Sequence, residues 1–227
     1  MNKSHKQIVY SVLESIYNHH ITDDVDISIE FVKQKINDVN IRLIEEFDQQ
    51  GRPLDMFYSK ACCIDVVCEK DGCVIDGVTV PSGDIIWKAD LPSLNQKVGW
   101  KNIAYFGNSD MRTNFHRVTI NSFTSGGVLE WSRKTSYTIV GETAYFKNLP
   151  TSGISKLCIV GLFSNPTTVC NFDEESPYPT PDAYKLELLV KQDILSTYPL
   201  KPKDEINDSR SNDPQSQNQQ MKPQPNE

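Results

Sequence analysis

With 227 residues, 38% of them hydrophobic, the chain has room for one sizeable domain or for one domain with a smaller appendage. No apolar run approaches the ~20 residues needed to cross a bilayer, and the opening "MNKSHKQIVYSVLESIYNHH" has neither a long apolar block nor a small-residue cleavage site. An intracellular folding site with mostly reduced thiols is therefore expected. The formal net charge is −7, and the most basic stretch, residues 51–170, carries only 12 basic against 10 acidic groups. That balance cannot neutralise many phosphates, which argues against tight nucleic-acid binding.

The chain opens with two expected helices. In "SHKQIVYSVLESIYN", Ile8, Val9, Val12, Leu13, Ile16 and Tyr17 form one apolar stripe, with Ser4 placed as N-cap. In "ISIEFVKQKINDVNIRLIEEFDQQGRP", Ile29, Val32, Ile36, Val39, Leu43 and Phe47 recur at three- and four-residue steps. Gly51 followed by Pro53 stops this helix, because glycine tolerates the left-handed C′ position and proline cannot extend the helix. Ile41 and Ile44 stand beside the main stripe, so the second helix has a face wide enough to touch two neighbours.

From about residue 57 to 170 the hydrophobic period changes to two. Strands are expected at 61–69, 84–89, 102–106, 115–123, 136–140, 143–147 and 156–163. The Gly141-Glu142 pair suits a type II′ hairpin, where glycine supplies the positive φ at the first central position. A third helix follows, with Thr180 as N-cap, Pro181 presetting φ, Asp182 near the positive helix end, and Leu186, Leu189, Val190 and Ile194 as its stripe. The last 27 residues hold almost nothing apolar and are expected to be disordered in isolation. The expected class is α+β: an N-terminal helical pair (1–56) and a returning C-terminal helix (171–200) packed with an antiparallel β-sandwich or barrel-like domain (57–170), then a polar tail (201–227).

The chemistry-bearing residues fit plain structural roles as well as functional ones. "FYSKACCIDVVCEKDGC" holds four of the six cysteines. On one continuous strand, Cys62 and Cys68 share a face about 20 Å apart, and Cys63 points the other way. C-x₂-C pairs and zinc-like histidine spacings are missing, so buried apolar thiols are favoured, with a disulfide and a zinc site as alternatives. His19 and His20 fit a helix C-terminus, His116 a core or interface position, and His5 the exposed chain start. Neither a G-x-S-x-G elbow nor a phosphate-binding glycine loop occurs, so no catalytic residue, metal ligand, cofactor or small-molecule substrate is assigned. The aromatics Trp87, Trp100, Tyr105, Phe106, Trp131, Tyr145 and Phe146 fit core packing, with protein contact or a carbohydrate-binding face as functional alternatives.

Four passages carry a resemblance. They are "VKQKINDVNIRLIEEF" leading through "GRPLDMFYSKACCIDV"; "VPSGDIIWKADLPSLNQKVGWKNIAYFGNSD"; "YTIVGETAYFKNLP"; and "LCIVGLFSNPTTV" ahead of "PYPTPDAYKLELLVKQDIL". Together they span roughly residues 29–196, and the chain resembles the head-to-tail connector (ring, or adaptor) proteins of tailed bacteriophages, above all those of crAss-like podoviruses. The resemblance implies a non-enzymatic subunit made in the bacterial cytoplasm and placed in the virion neck. Its partners would be copies of itself in a ring, the portal protein, and the tail or neighbouring ring proteins. DNA would pass transiently through an acidic lumen without specific binding, and no membrane would be involved. The tail would order by docking on an adjacent subunit. Ile41, Arg42 and Ile44 on the second helix, and Tyr198 and Leu200 before the tail, are the expected interface contacts. Another virion component, such as a tail hub or decoration protein, is the alternative within the same class.

Overall fold

The computed structural model describes residues 3–20, 27–69, 74–75, 78–79, 85–124, 134–150 and 156–197. It has the expected α+β architecture: a helical layer and two packed sheets. Helix α1 (His5–His20) begins in a reciprocal capping box. Ser4 Oγ accepts from the Gln7 amide at 3.2 Å and Gln7 Oε1 accepts from the Ser4 amide at 3.0 Å, so two otherwise orphaned donors are satisfied. Helix α2 (Ile29–Gln49) is capped by Ser28. It ends in a Schellman motif, with Gly51 at φ +67°, its amide bonded to the Asp48 carbonyl and the Arg52 amide to that of Phe47.

A 3₁₀ turn at Asp55–Phe57 leads into β1 (Ser59–Asp65), and β2 (Val67–Glu69) follows after a single residue. The expected continuous strand is thus two strands in different sheets. Between Ala61 and Ile64 the register slips by one residue against the partner strand, a β-bulge in which Cys62 and Cys63 oppose Cys158. The bulge puts Ala61 and Ile64 on the same buried side, which a strict two-residue alternation does not allow.

Strands β3 (Val74–Ile75) and β4 (Val78–Thr79) form a small separate ladder. Next come β5 (Ile86–Asp90), β6 (Ile103–Asn108) and β7 (His116–Arg117). Residues 115–123, expected as one strand, instead give only β7 and then the short helix α3 (Ile120–Thr124). Thr119 Oγ1 accepts from the Ser122 amide, so a local side-chain bond competes with the ladder and turns the chain. The hairpin of β8 (Ser136–Val140) and β9 (Thr143–Lys147) has the expected bounds, and Gly141 holds φ +61° at its turn. Strand β10 (Lys156–Gly161) and helix α4 (Ala183–Thr197) complete the chain.

One sheet has the order β1-β10-β6; the other runs β2-β5-β9-β8-β7 and is antiparallel except for the parallel β7/β8 pair. The sheets share one core. Ala61, Leu157, Ile159 and Phe106 from the first meet Ala89, Tyr137, Ala144 and Phe146 from the second. Phe106 packs edge-on against Tyr137 at 4.9 Å and Phe146 at 5.2 Å between ring centroids, the geometry favoured by aromatic quadrupoles. A second core joins α1, α2 and α4 through Ile8, Ile16, Ile36, Leu43, Leu186 and Ile194. Among the described residues no helix is long and apolar enough to cross a membrane.

Phe106 is fully buried at the centre of the aromatic cluster. Phe106→Ala should cost about 3–5 kcal/mol, read as a lowered denaturant midpoint with an unchanged slope.

Candidate interaction surface

The helical layer carries an exposed apolar ridge and a charge-rimmed groove. Ser59 at the start of β1 lies opposite Gly161 at the end of β10, so the chain leaves α2 and returns toward α4 at the same end of the sheet. Helices α2 and α4 run antiparallel, tied by Lys185 to Glu46 at 3.7 Å and by Lys35 to Asp193 at 2.8 Å. Arg42 also reaches Asp193, at 2.9 Å. The Lys35 hydrogen bond, seconded by Arg42, holds the Asp193 carboxyl below the ordinary carboxylate range.

Between these helices lies a groove of about 430 Å³, floored by Val39, Leu43 and Leu189 and rimmed by Arg42, Glu46 and Asp193. Beside it on α4, Tyr184 is 72% exposed and Leu188 45% exposed. Their i, i+4 spacing stacks them on one helical ridge. The helix holds that ridge outward because Leu186, Val190 and Ile194 occupy the core side. The cap of α4 is Asp182, not Thr180: Asp182 Oδ1 accepts from the amides of Tyr184 and Lys185, both at 3.0 Å. Thr180 Oγ1 is buried and without a partner.

The expected contact residues divide. Arg42 is exposed and lines the groove; Ile41 is half-buried on the same helix. Ile44 is only 1% exposed and belongs to the helical core, so it cannot serve as a surface contact. Tyr198 and Leu200 lie outside the described residues. The ridge of Tyr184 and Leu188 was missed, although two large apolar residues standing off the stripe of α4 were the signal for it.

The expected structural roles also shift. His5 is 0% exposed, not at the open chain start. It stacks on Tyr178 at 5.2 Å and meets Phe172 edge-on at 5.7 Å, and neither ring nitrogen has a partner. His116 is exposed, while its neighbour Phe115 turns into the core. The structure describes no side chain at His19 or His20, and Trp131 lies outside the described residues. Trp100 is exposed, but the Arg117 guanidinium covers one face of its indole at 4.3 Å. Tyr178 Oη donates to Asn37 Oδ1 at 2.9 Å, and Asn37 Nδ2 donates to Asn165 Oδ1 at 3.0 Å. Burial pushes the Tyr178 phenol far up, so it stays a donor in this chain of bonds.

The cysteines overturn the favoured expectation of unpaired buried thiols. Cys62 is disulfide-bonded to Cys158, and Cys63 to Cys170. The partners are 96 and 107 residues apart, so local spacing could not reveal them. Cys68 is exposed and free.

Taken as a class, the chain is a β-sandwich protein carrying a three-helix layer with an outward apolar ridge and a neighbouring charged groove. Compared with known proteins, it matches no family model and no curated protein sequence.

Burial lowers the His5 pKa below its ordinary value of 6.5, against the opposing pull of Glu174; Lys33 lowers it and Glu30 raises it. The unfolded chain therefore binds the proton more readily, and stability rises with pH across this range. The contribution is complete above pH 6.5 and is lost as pH falls toward the folded-state pKa. The denaturation midpoint should drop between pH 7 and pH 5, and His5→Phe should flatten that slope.

Proposed function

We propose that this chain is a non-enzymatic structural subunit of a tailed-phage head-to-tail connector. Copies pack side by side in a ring between portal and tail, and DNA passes through without specific binding. The observation that carries the reading is the ridge of Tyr184 and Leu188 beside the groove of Val39, Leu43 and Leu189. Exposed aromatic and aliphatic side chains next to an apolar groove are what one copy needs to seat against the next. The ridge of one copy seated in the groove of the next makes a heterologous contact, which closes into a ring when the rotation between copies closes. The Arg42, Glu46 and Asp193 rim supplies charge that fixes the angle of approach more than the affinity. The motifs at 29–196 support the same reading, since α2, the bulged β1 and α4 lie within that resemblance.

The test is a reconstruction of the assembled particle together with a Leu188→Glu variant. The reading expects the chain as a neck ring with α4 at the subunit boundary. Because Leu188 is exposed, the variant should fold and melt as the parent does while entering particles about tenfold less, the equivalent of ~1.4 kcal/mol of contact free energy. A neck without this chain, or normal incorporation of the variant, would retire the ring reading.

A further inference from the structure

The two disulfides do not sit at random in the sheets. Both start at the bulge of β1, where one inserted residue re-aims a side chain. Cys62 is bonded to Cys158 on β10, the strand paired with β1, with Cα atoms 3.9 Å apart. Cys63 is bonded to Cys170, with Cα atoms 6.2 Å apart. Cys170 lies in the connection that leaves the sheets for α4, between the 3₁₀ turn Pro166–Thr168 and the segment carrying Phe172 and Tyr178. That segment holds His5, and through Tyr178 and Asn37 it bonds to α2. The incoming and outgoing crossings between helical layer and sheets are thus fastened to one another at neighbouring positions of β1.

We propose that the vicinal cysteines Cys62 and Cys63 form a redox-responsive double latch that fixes the helical layer to the β-sandwich when oxidised and loosens that junction when reduced. Accessibility sets the order of events. Cys62, Cys63 and Cys170 are half-buried, whereas Cys158 is fully buried. The co-reactant is a low-molecular-weight disulfide of the glutathione class. A half-buried thiolate attacks one of its sulfurs, forming a mixed disulfide and releasing one small thiolate. The paired cysteine then attacks the protein-side sulfur, closing the bridge and releasing the second. For each bridge two protein S–H bonds are lost, one S–S bond forms, the small disulfide is reduced to two thiols, and these carry away the two protons. In the Cys62 pair, Cys62 takes the mixed disulfide and the buried Cys158 resolves it. The exposed Cys68 has no cysteine partner among the described residues, so a mixed disulfide formed there is not resolved into a bridge by a described cysteine.

The loops closed span 96 and 107 residues, so the unfolded chain loses much freedom and the oxidised protein is the more stable form. The latch does not depend on the ring reading; it concerns the chain's own junction.

The experiment compares the full-length chain, purified reduced, before and after incubation with oxidised glutathione. Intact mass and alkylation count the bridges, Cys62→Ser and Cys63→Ser isolate each one, and hydrogen exchange follows the junction. The latch predicts two bridges, Cys62–Cys158 and Cys63–Cys170, with Cys68 in neither, and a Tm raised by about 10 °C. Exchange should slow at 54–66 and 162–180 on oxidation, and Cys63→Ser should remove the slowing around Cys170 while leaving the Cys62 bridge intact. Cys62, Cys63, Cys158 or Cys170 remaining alkylatable after oxidation, bridges between other pairs, or bridges that leave Tm and junction exchange unchanged would each overturn the proposal.

Discussion

The pairing of β1 with β10 is the constraint on which the rest of the structure depends. Antiparallel register brings Ser59 beside Gly161, so the end of the N-terminal helical pair and the start of the C-terminal return meet at one place. Helix α4 can then lie antiparallel on α2, where Lys35, Arg42 and Asp193 form a charged cluster. β10 also bonds β6 on its other side, so the same strand carries the sheet to the aromatic core. Little tolerance remains there. A Cβ at Gly161 would come 2.9 Å from the Asn102 carbonyl oxygen, and one at Gly107 on β6 would collide with the Thr113 carbonyl.

The two cores divide the work. The sandwich core, centred on Phe106, Tyr137 and Phe146, holds the sheets face to face by shape and quadrupole geometry. The helical core holds three helices by aliphatic packing and leaves their outer sides free to carry other residues. Between them the junction is polar and covalent: Tyr178, Asn37 and Asn165 bond in series, and Lys101 binds Asp48 at 2.5 Å. A buried polar chain of this kind specifies one arrangement, because any slip would leave its donors unpaired. That rigidity gives the Tyr184 and Leu188 ridge a fixed direction, which a side-by-side assembly requires.

Much of this was legible in the sequence wherever a local rule decides. Ser4, Gly51 and Gly141 set α1, the end of α2 and the β8/β9 turn, and each acts on atoms within a few residues. The apolar stripes of α1, α2 and α4 marked most of their buried faces, although Tyr17 and Ile29 from those stripes are exposed and Leu189 is half-buried. Most of the failures share a cause: they turn on partners far along the chain. The cysteine pairs and the burial of His5 by Phe172 and Tyr178 are set by tertiary contacts that no short window contains. Two misses were local. Thr180 and Asp182 are both good caps, and the side chain that reaches the free amides of α4 belongs to Asp182. At residues 115–123 alternation pointed to a strand, but the Thr119 hydroxyl offered the backbone a bond that began α3. The surface candidates were only partly readable, since Ile44 and Leu188 look equally apolar in sequence and differ in what packs over them.

If β1 and β10 close the fold and fix the helices to it, their amides should open only together with those of α2 and α4. Native-state hydrogen exchange of the oxidised chain, with both bridges formed, against increasing denaturant measures this directly. The account predicts that Ala61, Ile159, Val39 and Val190 merge into one unfolding free energy at low denaturant. Exchange from α4 through an independent, lower-energy opening, with β1 and β10 still protected, would contradict it.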